Sequence, residues 1–332
     1  MRILFLTALL LCTLSAGCQR SHASPSTSPT ATVEADFEKV ALETTPTLES
    51  TVTVLSEKIG ERNLNNYSKL EQTRDYITRR LKKAGYQVEL DEFKVDKPVY
   101  NLVVTKPGND EIVVVAAHYD SAPITPGAND NGSGVAVLLQ LAERLKAVPM
   151  ERTVRFVFFV NEEPPYFMSD SMGSRVYAAR CAERKDNIVG MLSLETMGYY
   201  SDEEGSQKFP PGIEGYPNTG NFLAFISEPN SQDFLQECLG HFEGLPVESL
   251  VAPATIDGVS WSDHASFWEQ GYPGVMITDT APFRYPHYHR KTDTADQLDY
   301  QRLGRAADGL ETMIKSLGRA QDLPGAQTQP VE

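Results

Sequence analysis

Polar residues that can bind metal ions stand directly after short apolar segments that are typical of buried strands. The apolar segment 112–117 is followed by His118, and the segment 188–194 is followed by Glu195. Between them in the chain, the segment 154–160 is followed by Asn161, Glu162 and Glu163. Asp130 lies in a loop rich in Gly and Asn before a predicted helix, and His289 follows a strand predicted at 274–278. In parallel α/β sheets, functional groups collect beyond the carboxyl ends of the strands. We therefore expect these side chains to meet at one edge of a sheet.

Imidazole nitrogens and carboxylate oxygens together suit zinc. A catalytic zinc keeps one coordination position open for water, so five candidate ligands exceed the needs of a single site. Two metal ions that share a bridging carboxylate would use the whole set of His118, Asp130, Glu163, Glu195 and His289. Such a pair can hold an attacking water and the carbonyl oxygen of a peptide. Glu162 is then free to act as a base.

Each of these residues has an ordinary alternative role. A single histidine after a strand is usually a polar loop residue, and paired glutamates are usually solvated. Asp130 and Asp263 both precede predicted helices, where an aspartate commonly caps the first turn. It is the occurrence of the candidates together at successive strand ends that favours a site.

The pattern of apolar residues predicts alternating strands and helices. Helices are predicted at 37–59, 70–84, 135–147, 233–242, 263–270 and 298–317, and strands at 87–95, 100–105, 112–117, 154–160, 188–194, 222–227 and 274–278. Strands that alternate with helices indicate an α/β fold, a three-layer α/β/α sandwich with a mixed, mainly parallel central sheet. The segment 199–221 is rich in Gly, Pro and acidic residues, which indicates a loop at the rim of the site.

Five short motifs resemble those of the co-catalytic zinc aminopeptidases, whose relatives include glutamate carboxypeptidase, the transferrin receptor and glutaminyl cyclase. The motifs are His118-Tyr119-Asp120, Gly127-Ala128-Asn129-Asp130-Asn131-Gly132-Ser133-Gly134, Asn161-Glu162-Glu163, Ser262-Asp263-His264 and Tyr288-His289-Arg290-Lys291-Thr292-Asp293-Thr294. The resemblance extends roughly from 70 to 317. It implies the phosphorylase/hydrolase-like fold of zinc peptidases, in agreement with the predicted three layers.

The resemblance also implies two zinc ions per chain. One zinc would be bound by His118 and Glu195 and the other by Glu163 and His289, with Asp130 as the bridge and Glu162 as the general base. The family often has an aspartate where this chain has Glu195, so the ligand here is one methylene longer. This changes the geometry expected at its zinc.

Four further residues are assigned supporting roles by the same resemblance. Asp120 would orient the ring of His118 through the nitrogen that does not bind metal. Asp263 and Asp293 are predicted to be structural supports. Tyr288 is a candidate for stabilising an oxyanion, and packing is the alternative role for its ring.

These residues predict a zinc aminopeptidase that hydrolyses the first bond of peptides with a free N-terminus. The alternative is glutaminyl cyclase, an acyltransferase on the same fold that needs one metal ion. In this chain that ion would be bound by Asp130, Glu163 and His289. A third possibility is a binding protein that kept the fold and lost its activity. Such a protein should lack several ligands, and this chain lacks none of them.

The composition restricts the partners of the protein. The 332 residues include 30 basic and 45 acidic side chains, a formal net charge of −15, which disfavours nucleic acid and anionic lipid surfaces. Hydrophobic residues make up 41% of the chain, enough for a sizeable core. The sequence does not indicate an oligomeric state.

The N-terminal residues predict export. Residues 1–17 have a basic start and a short apolar run, as a signal peptide does, and end in small residues before Cys18. This ending resembles the processing site of bacterial lipoproteins, so we expect residues 18–35 to be a lipid-anchored linker rich in Ser, Thr and Pro. Gln19 favours sorting to the outer membrane of the cell envelope. The peptidase domain is then predicted at 36–320, with a flexible tail at 321–332.

Two cysteines remain in the predicted catalytic domain, Cys181 and Cys238. An even pair in an oxidising compartment permits one disulfide, and two buried free thiols are the alternative. We predict a bridge if the two Cα atoms lie within about 7 Å.

Overall fold

An eight-stranded sheet forms the centre of the computed structural model, which describes residues 47–319. The strands are β1 (Glu89–Lys94), β2 (Pro98–Lys106), β3 (Glu111–His118), β4 (Thr153–Phe159), β5 (Asn187–Glu195), β6 (Leu223–Ser227), β7 (Val247–Val251) and β8 (Gly274–Thr278). Their order across the sheet is β1-β2-β4-β3-β5-β8-β6-β7. The four central strands β4, β3, β5 and β8 are parallel to one another, so their carboxyl ends lie at one edge.

The central strands are buried on both faces, which explains their nearly continuous apolar sequences. In β3, Val113, Val115 and Ala117 pack into one apolar cluster. Alternate residues of the same strand, including Val114, pack into a second cluster on the other side. The sheet therefore has a helical layer on each face.

Helices cover both faces of the sheet. They are α1 (Leu48–Thr53), α2 (Tyr67–Lys83), α3 (Gly134–Leu145), α4 (Gly173–Arg184), α5 (Gln232–Leu239), α6 (His264–Trp268), α7 (Ala281–Arg284) and α8 (Tyr300–Leu317). Helices α1, α2, α3, α5 and α8 pack on one face, and α4 and α6 on the other. This arrangement confirms the predicted three-layer α/β/α class.

The long helices follow the amphipathic spacing of their sequences. In α8, Leu303, Leu310 and Leu317 are fully buried and recur every seven residues, so they form one apolar stripe. The side chain of Asp299 accepts a hydrogen bond from the backbone of Arg302 and caps the start of this helix. The stripe fixes α8 against the face that also carries α3.

Most predicted elements match the structure within a few residues, but strand β7, helix α4 and the short helix α7 were not predicted. Strand β7 lies at an edge of the sheet and is only half-buried, so its sequence lacks a buried apolar run. Helix α4 buries small and polar residues such as Gly173, Ser174 and Cys181, so its pattern of apolar residues is weak. The predicted signal peptide, linker and tail, and the part of the first predicted helix before residue 47, lie outside the described residues.

Of the two alternatives left open for the cysteines, the structure has two buried free thiols, Cys181 and Cys238. Cys181 lies on α4 and Cys238 on α5, and these helices pack on opposite faces of the sheet. Burial raises the pKa of the Cys181 thiol to about 12, so it stays protonated at neutral pH. Among residues 47–319, no helix has the length and apolar character required to span a bilayer.

Candidate metal centre

The five predicted ligands come together at the carboxyl edge of the central parallel strands. His118 is the last residue of β3 and Glu195 the last of β5, and Glu163 follows β4. Asp130 lies in the turn that leads into α3. His289 comes from the segment between α7 and α8, where its φ of 54° is in the left-handed region. Five separate segments thus contribute one ligand each.

His118 faces three carboxylates through one ring nitrogen. Its Nε2 atom lies 3.3 Å from Oε2 of Glu195, 3.4 Å from Oδ1 of Asp130 and 3.8 Å from Oε2 of Glu162. The imidazole is completely buried. His118, Glu162 and Glu195 have ligand atoms within 4.8 Å of one another and could hold one cation. Oδ1 of Asp130 faces the same ring nitrogen and is an alternative third ligand to Glu162.

His289 faces the other half of the site. Its Nε2 atom lies 3.0 Å from Oδ2 of Asp130 and 3.2 Å from Oε2 of Glu163. These three residues form a second group whose ligand atoms lie within 4.8 Å of one another. Asp130 consequently presents Oδ1 to one imidazole and Oδ2 to the other, as a bridging carboxylate would.

The polar atoms of this cluster fit metal ligands better than partners in a hydrogen-bond network. Within residues 47–319, Nε2 of His118, Nε2 of His289 and Oε1 of Glu163 are buried and have no hydrogen-bond partner. Zinc bonds of 2.0–2.2 Å in a tetrahedral arrangement separate neighbouring ligand atoms by roughly 3.3 Å. The observed separations between the ring nitrogens and the carboxylate oxygens of the proposed ligands, from 3.0 to 3.4 Å, agree with that spacing.

The electrostatics of the cluster favour cations. Burial raises the pKa of Glu162 well above its ordinary value. Burial, followed by the neighbouring charge of Asp130, raises the pKa of Glu163 to about 7. Burial also acts to raise the pKa of Asp130, but contact with the two imidazoles outweighs it, so that pKa is lowered. The cluster holds more carboxylates than its two imidazoles can neutralise, so divalent cations would stabilise it.

Asp120 connects the two strand ends that carry His118 and the paired glutamates. Its Oδ1 accepts a hydrogen bond from the backbone N–H of Glu162, and its Oδ2 accepts one from that of Glu163, both at 3.2 Å. Oδ1 also lies 3.5 Å from Nδ1 of His118, which is long for a hydrogen bond. The side chain therefore fixes the turn after β4 and faces the ring that it was predicted to orient.

Asp293 supports the loop that carries Asp130. Its Oδ1 accepts hydrogen bonds from the backbone of Asn129 and from the hydroxyl of Tyr285, both at 2.8 Å. Its Oδ2 accepts one from the backbone of Asp130 at 3.2 Å. Burial raises the pKa of Asp293 to about 7. This geometry agrees with the predicted supporting role.

The Ser262-Asp263 pair lies behind Glu195. Ser262, which was quoted within a motif but given no role, donates a 2.8 Å hydrogen bond to Oε2 of Glu195. Asp263 is fully buried, and neither of its oxygens has a hydrogen-bond partner among the described residues. It lies at the start of α6 but does not cap that helix. Burial raises the pKa of Asp263 to about 7.

Asn131 is a supporting residue that the sequence did not reveal. Its Nδ2 donates to the carbonyl of Leu194 at 2.8 Å, and its Oδ1 accepts from the backbone of Thr196 at 3.1 Å. These two partners flank Glu195 in the chain. The position of Asn131 next to Asp130 was the only local signal for this role.

Arg62 is a second unpredicted residue near the site. It is completely buried and donates hydrogen bonds to the carbonyls of Tyr119, Pro126 and Gly127, at 2.8, 2.6 and 2.7 Å. No local sequence pattern predicts this role of Arg62, because these three carbonyls lie more than fifty residues further along the chain.

Tyr288 lies beside the second group of ligands. Its ring stacks on that of His289 with 3.9 Å between the centroids and 17° between the planes. Burial, followed by nearby carboxylates, raises the pKa of its hydroxyl, so the O–H remains available as a donor. The stacking shows the packing role, and the protonated hydroxyl is compatible with the predicted contact to an oxyanion.

An open cavity lies beside the candidate ligands and has a volume of about 750 Å³ when the solvent at its mouth is included; both Glu195 and Tyr288 line it. Most of its wall is apolar and comes from Phe209, Pro210, Ile213, Tyr216, Phe222, Ala224, Ile226, Leu250, Val259, Trp261, Met276, Pro282 and Phe283. The outer wall includes the loop predicted at the rim. Tyr216 of this loop donates a 2.9 Å hydrogen bond to the carbonyl of Ser249 in β7.

The fold and the ligand arrangement define a class of protein that comparison with known families confirms. The model of Peptidase family M28 matches residues 101–314, well over half of the chain and the part that contains all five candidate ligands. The chain belongs to peptidase family M28. This confirms the resemblance found in the sequence and the prediction that the protein is an enzyme of the peptidase class.

Curated relatives support the same family. The uncharacterized protein YfbL of Escherichia coli K12 is 36% identical, covering 80% of this chain and 86% of YfbL. Aminopeptidase YwaD of Bacillus subtilis is 32% identical, covering 62% of this chain and 41% of YwaD. The probable lipoprotein aminopeptidase LpqL of Mycobacterium tuberculosis is 31% identical, covering 68% and 46%. The chain thus spans less than half the length of YwaD and LpqL.

Solved structures show the fold. BSAP, a zinc aminopeptidase from Bacillus subtilis, superposes with a TM-score of 0.64 at 17% identity, covering 83% of this chain and 95% of BSAP. The glutaminyl cyclase of Fimbriiglobus ruber superposes with a TM-score of 0.59 at 20% identity, covering 81% and 93%. Both neighbours have the layered architecture described above.

Proposed function

We propose that this protein is a zinc aminopeptidase that acts on peptides with a free N-terminus and uses two metal ions. The observation that carries the proposal is the orientation of Asp130, whose two oxygens face two different imidazoles at 3.4 and 3.0 Å. His118 and Glu195 lie on one side of this carboxylate, and His289 and Glu163 lie on the other. Imidazole and carboxylate ligands suit zinc, and aminopeptidase relatives within the same family support the choice of reaction.

The residues around the proposed ions suggest a division of roles. When bound, the zinc ions would lower the pKa of a water and polarise the carbonyl of the bond to be cleaved. Glu162 would take the proton of that water and return it to the departing amine, because its buried carboxylate faces the site and the proposed ligand set does not need it. The hydroxyl of Tyr288 would donate to the developing oxyanion.

The carboxylates of the site also explain why an exopeptidase is proposed. Glu162, Glu163 and Glu195 are buried around the place where the substrate would lie. A free α-amino group is a cation that can interact with such carboxylates, whereas an internal peptide nitrogen carries no charge. This difference favours binding of a peptide with its N-terminal residue at the site, and therefore cleavage of the first peptide bond.

The adjoining cavity would hold the side chain of the first substrate residue. Because the cavity shares Glu195 and Tyr288 with the site, a substrate bound at the metals can extend its first side chain into it. Its apolar and aromatic wall would stabilise a large apolar side chain. Full burial of such a side chain contributes about 1.5–3 kcal/mol relative to leaving it exposed.

We expect aminoacyl anilides of Leu and Phe to be cleaved with a kcat/KM roughly 10- to 100-fold higher than that of the Gly derivative, because 1.4 kcal/mol corresponds to a factor of ten. The measurement is the release of the free aniline by the zinc-loaded protein across a panel of anilides that includes those of Gly, Asp, Leu, Phe and Gln. Equal rates for Gly and Phe would rule out the cavity as the side-chain pocket. Absence of hydrolysis across the panel would contradict the aminopeptidase proposal.

Glutaminyl cyclase is the second candidate, because Asp130, Glu163 and His289 form a complete one-metal set by themselves. The additional group of His118 and Glu195 on the other side of Asp130 favours the peptidase. The Gln member of the panel separates the two activities. Conversion of Gln-anilide to pyroglutamyl-anilide with release of ammonia, detected by mass spectrometry, would identify a cyclase, whereas free Gln together with free aniline would identify a peptidase.

We further propose that the protein is exported and held in the cell envelope by a lipid on Cys18. The support comes from the signal-like residues 1–17 and from the relative LpqL, which is described as a probable lipoprotein aminopeptidase. Gln19 favours the outer membrane as the final location.

Replacement of Cys18 by Ser is expected to release the protein from membranes or to block its processing, because serine offers no thiol for lipid attachment. Cell fractionation followed by immunoblotting measures the change, with Cys181→Ser as a control that should stay with the membranes. Membrane attachment that persists in Cys18→Ser would contradict the lipoprotein proposal. Recovery of the unaltered protein in the inner membrane would contradict the proposed sorting.

A further inference from the structure

A single loop connects two of the proposed ligands, His118 at the end of β3 and Asp130 in the turn before α3. It runs from Tyr119, the residue after His118, to Gly127, three residues before Asp130. Ile124 in this loop is 60% exposed and has a φ of 67°, in the left-handed region that β-branched residues rarely adopt. A loop with this conformation and an exposed apolar tip needs contacts from outside to define its shape.

The guanidinium of Arg62 supplies these contacts at both ends of the loop. Its Nε donates to the carbonyl of Tyr119 at 2.8 Å. Its Nη1 and Nη2 donate to the carbonyls of Pro126 and Gly127 at 2.6 and 2.7 Å. One rigid, planar group therefore fixes the distance between the start and the end of the loop.

The backbone around Arg62 adds contacts to the middle of the same loop. The backbone N–H of Arg62 donates to Oγ of Ser121, and the backbone N–H of Ser121 donates to the carbonyl of Arg62, both at 3.1 Å. Oγ of Ser121 in turn donates to the carbonyl of Thr125. Close packing confirms the fit, since a Cβ atom added at Gly127 would lie 2.9 Å from Nη1 of Arg62.

The positive charge of Arg62 is buried but has no hydrogen bond to a carboxylate among the described residues. The hydrogen bonds of the guanidinium to the described residues all go to carbonyls. The carboxylates that act on it electrostatically are Asp293, Asp120, Asp130 and Glu163. A buried cation without a paired anion is costly. Burial lowers the pKa of Arg62 to about 10, and the carboxylates offset part of that effect.

We propose that Arg62 is a positioning residue for the metal centre: it sets the separation of His118 and Asp130 through the loop between them, and its charge offsets that of the buried carboxylates. The inference rests on the proposed metal site. It assigns to the N-terminal part of the fold, which lies before the segment matched by the family model, a direct influence on metal affinity.

The test compares Arg62→Lys with Arg80→Met in the purified full-length protein. Lysine keeps the charge but cannot donate to three carbonyls at once. We expect Arg62→Lys to bind zinc roughly 10- to 100-fold more weakly, the usual effect of losing a group that orients ligands. Competition with a chromogenic chelator measures zinc affinity, and urea unfolding of the metal-free protein measures stability.

Arg80 provides the matched control, because it is also a buried arginine but pairs with Glu143 between α2 and α3, away from the ligands. Arg80→Met should lower the stability of the metal-free protein and leave zinc affinity unchanged. Arg62→Met loses the same contacts and also the charge. Because the loss of a nearby positive charge would by itself favour a bound cation, zinc binding weaker than that of the wild type in this variant would be due to the lost contacts.

Wild-type zinc affinity in Arg62→Lys would overturn the proposal. So would an equal loss of affinity in Arg80→Met, because metal binding would then simply follow stability. If Arg62→Lys does not fold, Ser121→Ala decides, since it loosens the same loop and leaves the guanidinium in place. Unchanged zinc affinity in that variant would overturn the proposal, whereas a wild-type protein that binds no zinc would refute the metal site itself.

Discussion

Replacing Glu162 with Gln is expected to lower kcat by roughly 10²–10⁴-fold while the protein keeps its zinc. Glutamine has nearly the same size as glutamate but cannot accept the proton of the attacking water. Among the carboxylates that face Nε2 of His118, Glu162 is the most distant, at 3.8 Å, compared with 3.4 Å for Asp130 and 3.3 Å for Glu195. KM should change much less than kcat. Steady-state kinetics together with zinc analysis by mass spectrometry provide both measurements.

The neighbouring residue Glu163 gives the matched comparison. Its Oε2 lies 3.2 Å from Nε2 of His289, which is the geometry expected of two ligands on one metal. Glu163→Ala should therefore lose zinc together with activity, and added zinc should restore only part of the rate. If Glu162→Gln loses zinc and Glu163→Ala retains it, the two roles have been assigned in reverse. If neither change affects hydrolysis, the proposed site is wrong.

Replacing Asp130 with Asn is expected to weaken the binding of both zinc ions. The carboxylate is the one group that faces both imidazoles, and an amide offers a single neutral oxygen in its place. The loss of apparent zinc affinity should exceed the roughly 100-fold upper range that is typical of changes to supporting residues. Equilibrium dialysis gives the number of ions bound per chain, which we expect to fall from two to none at zinc concentrations that saturate the wild-type protein.

Asp186→Asn is the control for this substitution. Asp186 is a half-buried carboxylate that pairs with Arg155 and Arg184 on the surface, so its replacement should leave zinc binding unchanged. Two ions bound with wild-type affinity in Asp130→Asn would contradict the bridging role. Loss of only the ion at His289 would indicate that Asp130 is an ordinary ligand of one metal.

The position of the ligands could be predicted because it depends on local sequence. A strand with a continuous apolar run, such as β3, is buried, and the polar residue that ends it must lie at the edge of the sheet. His118 and Glu195 both follow this rule. Asp130 was found in the same way, from the Gly- and Asn-rich turn that begins α3.

Other features of the site depend on contacts between distant segments and leave no local pattern. Arg62 contacts carbonyls that lie 57 to 65 positions away. Ser262 reaches Glu195 across 67 positions. The question of a bridge between Cys181 and Cys238 stayed open for the same reason, because only the completed sheet shows that their helices pack on opposite faces. Pairing of that kind is determined by topology and not by spacing along the chain.

The hydrogen bond from Tyr216 to the carbonyl of Ser249 has a consequence for the solubility of the protein. Ser249 belongs to β7, the strand at one end of the sheet order, and strands in that position offer free N–H and C=O groups to other chains. The loop that walls the cavity therefore also shields part of this open edge. Shortening the loop to admit larger substrates would uncover the edge, and self-association through added strands would be the result to guard against.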